Sequence, residues 1–194
     1  MDQRGVAFMT IHLFGTAALA ALALTACGTA EDTTGATTVE TPAAESSAAT
    51  ESPMASDPQS FVDMAAASDM FELESARIAQ EKSQTPAVRD FAQMMIADHT
   101  SSTEKLRQAA GEVEGVTVSP EMTPAQQQQL TALRDATAEG FDALYKQQQV
   151  AAHEQALQLM QTYAEPGHPE PLMRFASTTA PIIERHLGMA RDLP

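Results

Sequence analysis

Residues 85–111 read TPAVRDFAQMMIADHTSSTEKLRQAAG, and this stretch decides the fold. Its apolar side chains recur at spacings of three and four, the periodicity of one buried helix face. Thr85 and Pro86 suit an N-cap and a first helical position, and Gly111 is typical of a residue that ends a helix. The stripe on the predicted buried face contains Val88, Phe91, Met95, His99, Ser102, Leu106 and Ala109. We therefore expect a long amphipathic helix with a histidine on its buried side.

The rest of the chain beyond residue 58 repeats this pattern, without the sustained alternation that is typical of strands. Further helices are predicted over 59–82, 123–136, 141–164 and 169–190. Gly140 suggests a break before the fourth helix, and Pro181 should kink the last one because proline removes a helical hydrogen bond. The predicted fold is all-α: a ferritin-like four-helix bundle with a long crossover that carries a short extra helix.

The first 26 residues have the features of an export signal. An uncharged stretch, residues 6–23, follows Arg4, and the tetrapeptide Leu24-Thr25-Ala26-Cys27 resembles a bacterial lipobox. We predict that residues 1–26 are a lipoprotein signal peptide and that Cys27 is lipidated. The protein would then be exported and lipid-anchored in the cell envelope, at the outer membrane or the periplasmic face. An uncleaved anchor and a plain cleaved signal are the alternatives, since about 20 apolar residues span a bilayer.

Composition divides the remainder of the chain. Residues 27–58 are rich in Thr, Ala, Ser, Pro and acidic residues, and we predict a disordered tether there because little in it could be buried. Residues 59–194 are long enough for one domain with a core. The formal net charge of −15 disfavours nucleic acid, whose phosphates it would repel. The expected partner is a membrane, through the lipid anchor, and the sequence identifies no protein partner.

Each main helix places an imidazole or a carboxylate on its inward side. At a rise of about 1.5 Å per residue, one group of these residues falls near the helix midpoints. Imidazole with carboxylate suits a transition-metal ion, and the pattern does not choose between iron, copper, zinc and manganese. The predicted metal cluster consists of His99, His153, Glu72, Glu74 and Asp98.

A second polar cluster is predicted near one end of the bundle. His186 should lie about 10 Å from the level of the first cluster, if depth is counted from the helix ends. This depth would group His186 with Asp142 and Tyr145. Both sets could also be structural, because buried polar groups need partners and these could satisfy one another.

No catalytic residue is assigned from the sequence. Ferritin-like di-iron sites use Glu-x-x-His on two helices, and the only such spacing here is Glu165 to His168, across a predicted turn. The sequence also lacks a nucleophile motif, a phosphate-binding loop and a Cys-x-x-Cys pair. Eleven methionines could offer thioethers to copper, although methionine is also a common filler of helical cores.

Several segments of the chain together form a recognisable pattern: Glu72-Leu-Glu74, Phe91–His99, Phe141–Tyr145, His153, Pro181 and His186–Ala190. This pattern resembles a bacterial envelope family of unknown function, DUF 4142, over Phe61 to Leu193. That resemblance implies a ferritin-like helical bundle in an exported protein, with no established activity. Members often have an acid before the histidine of the long helix, where this chain has Ala152. The chain is also distantly similar to exported copper-binding bundles that use Met and His.

These observations favour a cell-envelope lipoprotein of unknown activity whose bundle binds a metal ion or a partner through inward His, Asp and Glu residues. A metal-dependent oxidase or peroxide-handling enzyme is one alternative. A purely structural envelope module is the other.

Overall fold

Five helices without strands form residues 57–194, the part of the chain that this computed structural model describes. The predicted signal peptide, Cys27 and nearly all of the predicted tether lie outside the described residues. Within residues 57–194, no helix is both long enough and apolar enough to cross a membrane. The all-α prediction is confirmed. The helices are α1 Pro58–Lys82, α2 Pro86–Gly111, α3 Pro124–Asp135, α4 Ala138–Tyr163 and α5 Glu170–Asp192.

Local signals explain where the helices begin. The side chain of Thr123 accepts a hydrogen bond from the backbone N–H of Gln126, whose own side chain returns to Thr123, a complete capping box. Thr137 likewise caps α4 by accepting from the backbone N–H of Gly140. Gly140 therefore lies inside the first turn of α4 and does not break it. Thr85 is the N-cap residue of α2 as predicted, but its hydroxyl donates to Asp142 and not to its own helix.

The four long helices form a ring in which α1 packs on α2 and α4, and α5 packs on α4 and α2. Phe61, near the start of α1, stacks on Tyr163, at the end of α4, so these two helices are antiparallel. Only residues 83–85 join α1 to α2, on which it packs, so these two helices are antiparallel as well. Therefore α2 and α4 run in the same direction. The connection between them must therefore return along the bundle, and it carries α3, which packs on α1 and α4. The predicted bundle with a crossover is confirmed.

The interior consists of two apolar regions separated by a polar layer. On α2, His99 lies between Met95 of one region and Leu106 of the other. On α4, His153 occupies the same position between Tyr145 and Leu159. We call the regions the Phe61 core (Phe61, Leu106, Leu159, Tyr163, Leu172, Phe175 and neighbours) and the Phe141 core (Phe71, Phe91, Met95, Leu133, Phe141, Tyr145 and neighbours). The histidine layer between them contains Asp69, Glu72, Ser75, His99, Gln149, His153 and His186.

Candidate metal centre

Three histidines from three helices converge in the histidine layer. The ring centroid of His153 on α4 lies 5.6 Å from that of His186 on α5 and 5.9 Å from that of His99 on α2. The rings of His99 and His186 are also 5.9 Å apart. All three residues are buried. One ring nitrogen of each lies within 4.8 Å of the other two, which makes this trio a candidate metal centre.

Hydrogen bonds leave one nitrogen of each ring free. Nδ1 of His99 donates to Asp69 at 2.8 Å, and Nδ1 of His153 donates to the backbone carbonyl of Gln149 at 2.8 Å. His186 uses its other nitrogen, Nε2, to donate to Asp98 at 2.8 Å. Since the acceptors fix the position of each proton, the remaining nitrogen of each neutral ring carries a lone pair.

These three remaining nitrogens are Nε2 of His99, Nε2 of His153 and Nδ1 of His186. Each is buried and has no hydrogen-bond partner among the residues that the structure describes. Metal-binding histidines commonly donate their second N–H to a carboxylate or a backbone carbonyl in this way. The trio therefore has the hydrogen-bond pattern of a metal site.

The spacing of the nitrogens fits a metal ion after a small adjustment. A tetrahedral ion at about 2.0–2.1 Å from each nitrogen needs the nitrogens about 3.3 Å apart. If all three separations were at the 4.8 Å limit, each nitrogen would have to move less than about 1 Å towards the centre. Rotations of the buried rings within the layer would supply this shift.

The surroundings of His186 and His99 shift their pKa values in opposite directions. Burial, together with the neighbouring His153 and His99, lowers the pKa of His186 to about 4, although the hydrogen bond to Asp98 opposes the shift. Burial also disfavours the His99 cation, but the bond to Asp69 and the charges of nearby carboxylates outweigh it and raise the pKa of His99. His186 is therefore neutral near pH 7, the form in which imidazole binds metals.

Glu72 occupies the layer beside His153. One of its carboxylate oxygens accepts from Nε2 of Gln149 at 2.7 Å, and the same amide nitrogen lies 3.1 Å from the hydroxyl of Ser75. The other oxygen lies 3.7 Å from Nδ1 of His153 and has no hydrogen-bond partner within residues 57–194. Burial and the charge of Glu72 raise the pKa of Tyr145 well above its usual value. Glu72 thus adds negative charge next to the trio.

The prediction that groups His186 with Asp142 and Tyr145 is wrong. The ring of His186 lies against those of His99 and His153, and Asp98 is its hydrogen-bond partner. All three predicted inward histidines therefore belong to one layer.

The reason for the error is that α4 and α5 do not end at the same level. The ring of Phe61 stacks on Tyr163 at 3.7 Å and lies 6.3 Å from Phe175, so Phe175 of α5 is level with the last turn of α4. From that level, His186 is 11 residues along α5 and His153 is 10 residues along α4. At a rise of about 1.5 Å per residue, these are nearly equal depths.

Three other predicted residues lie away from the trio. Glu74 is on the surface, where it forms an ion pair with Arg77, because it points away from the side of α1 that carries Glu72. Asp142 accepts a hydrogen bond from Thr85 near the start of α4. Tyr145 is fully buried in the Phe141 core, where its ring stacks on that of Phe141 at 6.0 Å.

Asp69 is the site residue that the sequence reasoning missed. It is buried on α1, accepts from His99, and its second oxygen accepts from Thr103 at 3.1 Å. The available signal was its spacing, because Asp69 lies three residues before Glu72 and so shares one side of α1 with it. Because Asp69 lies one helical turn before Glu72, the same reasoning predicts that Asp69 also faces inward.

Comparison with known proteins places the chain in a family. Residues 43–193 match the model of the family described as "Domain of unknown function (DUF4142)". Since the match covers most of the sequence, the chain belongs to this family, as the quoted segments predicted. No curated protein matched the chain.

A solved structure titled "CopM in the Cu(II)-bound form" has a similar fold. The TM-score is 0.59, with 16% sequence identity, over 69% of this chain and 93% of that chain. At this identity the similarity supports the helical fold.

Proposed function

We propose that the protein binds one divalent transition-metal ion through Nε2 of His99, Nε2 of His153 and Nδ1 of His186. Two observations together carry the proposal: one ring nitrogen of each histidine lies within 4.8 Å of the other two, and each ring has one buried nitrogen that is unpaired within residues 57–194. An unpaired buried polar atom costs about 1–3 kcal/mol. One bound ion would remove that cost at all three nitrogens.

The charges around the trio also favour a cation. Asp69 and Glu72 are buried and Asp98 is half-buried, so with neutral imidazoles the three carboxylates give a formal charge of −3. Arg185 lies 3.2 Å from Asp98 but is itself exposed. Buried charges are costly unless they are paired. A dication would compensate most of this charge.

The ligand set favours copper or zinc over the other candidate ions. Imidazole suits both, while manganese prefers carboxylate and water oxygens. Among first-row divalent ions, Cu(II) binds a given nitrogen site most tightly. The fold neighbour's title also names Cu(II), as the ion bound to that protein. Copper is therefore the first ion to test, with zinc as the second.

The location of the protein in the cell forms a separate part of the proposal. The lipobox-like tetrapeptide that ends at Cys27 supports an exported protein anchored to the cell envelope by lipid. In that setting the metal-binding domain would face the compartment outside the cytoplasm. Replacement Cys27→Ser should release the protein from the membrane fraction, and unchanged attachment would contradict the lipid anchor.

Metal content after loading tests the central proposal. Protein loaded with Cu(II) and then desalted should retain one copper per chain, measured by elemental analysis. The double variant His99→Ala/His153→Ala should retain none, with its helical content checked by circular dichroism. His168→Ala is the matched control, because His168 stacks on Tyr163 at 4.0 Å, outside the histidine layer. A wild-type protein that retains no copper and no zinc would contradict the proposal.

A further inference from the structure

A cavity of about 90 Å³ between α1, α2, α4 and α5 connects His99 and His186 with solvent. Its lining runs from the buried His99 and His186 to the exposed Lys105 and Arg185. His153 does not line it, so the cavity meets the trio from one side. At about 30 Å³ for each water molecule, the space would hold about three waters or one small ligand.

Four hydroxyl groups that line this cavity have no protein partner within the described part of the chain. They belong to Ser68 on α1, Ser101 and Ser102 on α2, and Thr179 on α5. Hydroxyls in helices commonly donate to the carbonyl four residues earlier, as Thr103 and Thr178 do here at 2.9 and 2.8 Å. The cavity hydroxyls make no such bond, and they remain free to bind a ligand.

The proposed metal would itself leave a coordination position open. Sites with three protein ligands usually complete their coordination with water or an exogenous ligand, whereas structural sites use four protein ligands. Asp69 and Asp98 line the cavity too. The two oxygens of Asp69 accept from His99 and Thr103, and Oδ2 of Asp98 accepts from His186 and Arg185. The open position would be filled from the cavity.

We propose that the metal-loaded site binds a small monovalent anion, which contacts the metal and accepts hydrogen bonds from the cavity hydroxyls. This inference rests on the proposed function. With Lys105 and Arg185 counted against Asp69, Glu72 and Asp98, the formal charge is −1 without metal and +1 with a dication. Anion binding should therefore require the metal.

Azide is a suitable probe, because it is a small monovalent anion and gives a charge-transfer absorption band when it binds Cu(II). Titration of the copper-loaded protein should produce a saturable band and a changed electron paramagnetic resonance spectrum, with copper still bound after desalting. Calorimetry of the metal-free protein should detect no azide binding.

Two variants test whether the anion binds in the cavity. Thr179→Val removes one hydroxyl without changing the side-chain shape and should weaken azide binding about tenfold, since hydrogen bonds to charged groups are strong. Lys105→Gln should weaken it about threefold, because an exposed charge is screened by solvent. Thr178→Val and Arg107→Gln are the matched controls, as neither residue lines the cavity, and both should bind azide like the wild type.

The outcomes separate this inference from the proposed function. Copper retained at one per chain with a spectrum unchanged by azide would overturn the anion site alone. Azide that strips the copper, or that binds the two cavity variants as tightly as the controls, would also overturn it. Absence of both bound copper and bound zinc before azide is added would overturn both proposals.

Discussion

Phe61 in the Phe61 core and His153 in the histidine layer are equally buried, but they differ in the contacts that their atoms make. Phe61 and His153 expose 0% and 1% of their surface. Phe61 fills its space with ring contacts to Tyr163 and Phe175, whereas His153 holds a nitrogen that has no partner in residues 57–194. Burial alone therefore does not identify a functional position. The hydroxyls of Tyr163 and Tyr145 in the two cores are also unpaired within residues 57–194. What identifies the layer is that three imidazoles converge there, each with one nitrogen unpaired in that part of the chain.

The largest expected effect belongs to the apolar end of the bundle. Phe61→Ala should lower the free energy of unfolding of the metal-free protein by about 3–5 kcal/mol, since it removes a fully buried ring and leaves a cavity. Urea unfolding measures the change, and Met64→Ala, on the exposed side of α1, is the control. The folded variant should still bind one copper. Loss of copper binding by folded Phe61→Ala would show that metal binding in the histidine layer depends on the Phe61 core.

The histidine layer should show the opposite pattern. His153→Leu should weaken copper binding more than 100-fold, because losing a ligand must exceed the 10–100-fold cost of losing a ligand's orienting partner. In the wild type, free copper at 100 times its Kd should add about 2.7 kcal/mol to stability, and the variant should gain almost none. Competition titrations and urea unfolding with and without copper measure both quantities. Equal stabilisation of variant and wild type would place the copper elsewhere.

The carboxylate behind His99 should have an intermediate effect. Asp69→Asn keeps the shape of the side chain but removes the charge that orients the ring, and it should weaken copper binding about 10–100-fold. Asp63→Asn, a change on the exposed side of the same helix, is the control. An affinity equal to that of the wild type would mean that Asp69 does not support a metal ligand.

The last expected effect concerns pH. Because the pKa of His186 is about 4 in the folded protein and about 6.5 when unfolded, the unfolded chain binds more protons between these values. This histidine therefore makes the metal-free protein less stable as the pH falls from 6.5 towards 4. The raised pKa of His99 acts in the opposite direction, so the contribution of His186 must be measured as a difference.

The comparison for that measurement is between wild type and His186→Leu. Urea midpoints of both proteins should be recorded from pH 7 to pH 4.5 in the presence of a chelator. The variant should lose less stability over this range than the wild type. Parallel profiles would show that burial does not disfavour the His186 cation.

The sequence predicted the helices well because helical periodicity and end signals are local. The predicted cluster contained both Glu72 and Glu74, but residues two apart on a helix point in nearly opposite directions, and only Glu72 faces the histidine layer. The depth of His186 along the bundle could not be predicted from such local signals. That depth depends on the offset between α4 and α5, which the contacts of Phe61 with Tyr163 and Phe175 fix across the bundle. Similarly, the pairing of Asp69 with His99 depends on how α1 packs against α2.

X-ray absorption at the copper edge of the loaded protein tests the central claim most directly, because it reports the atoms bound to the metal. The account predicts three imidazole rings with nitrogens at about 2.0 Å from the copper, plus one further oxygen or nitrogen ligand that is not imidazole. A spectrum with fewer than three imidazoles, or with sulfur at about 2.3 Å from a methionine, would contradict it.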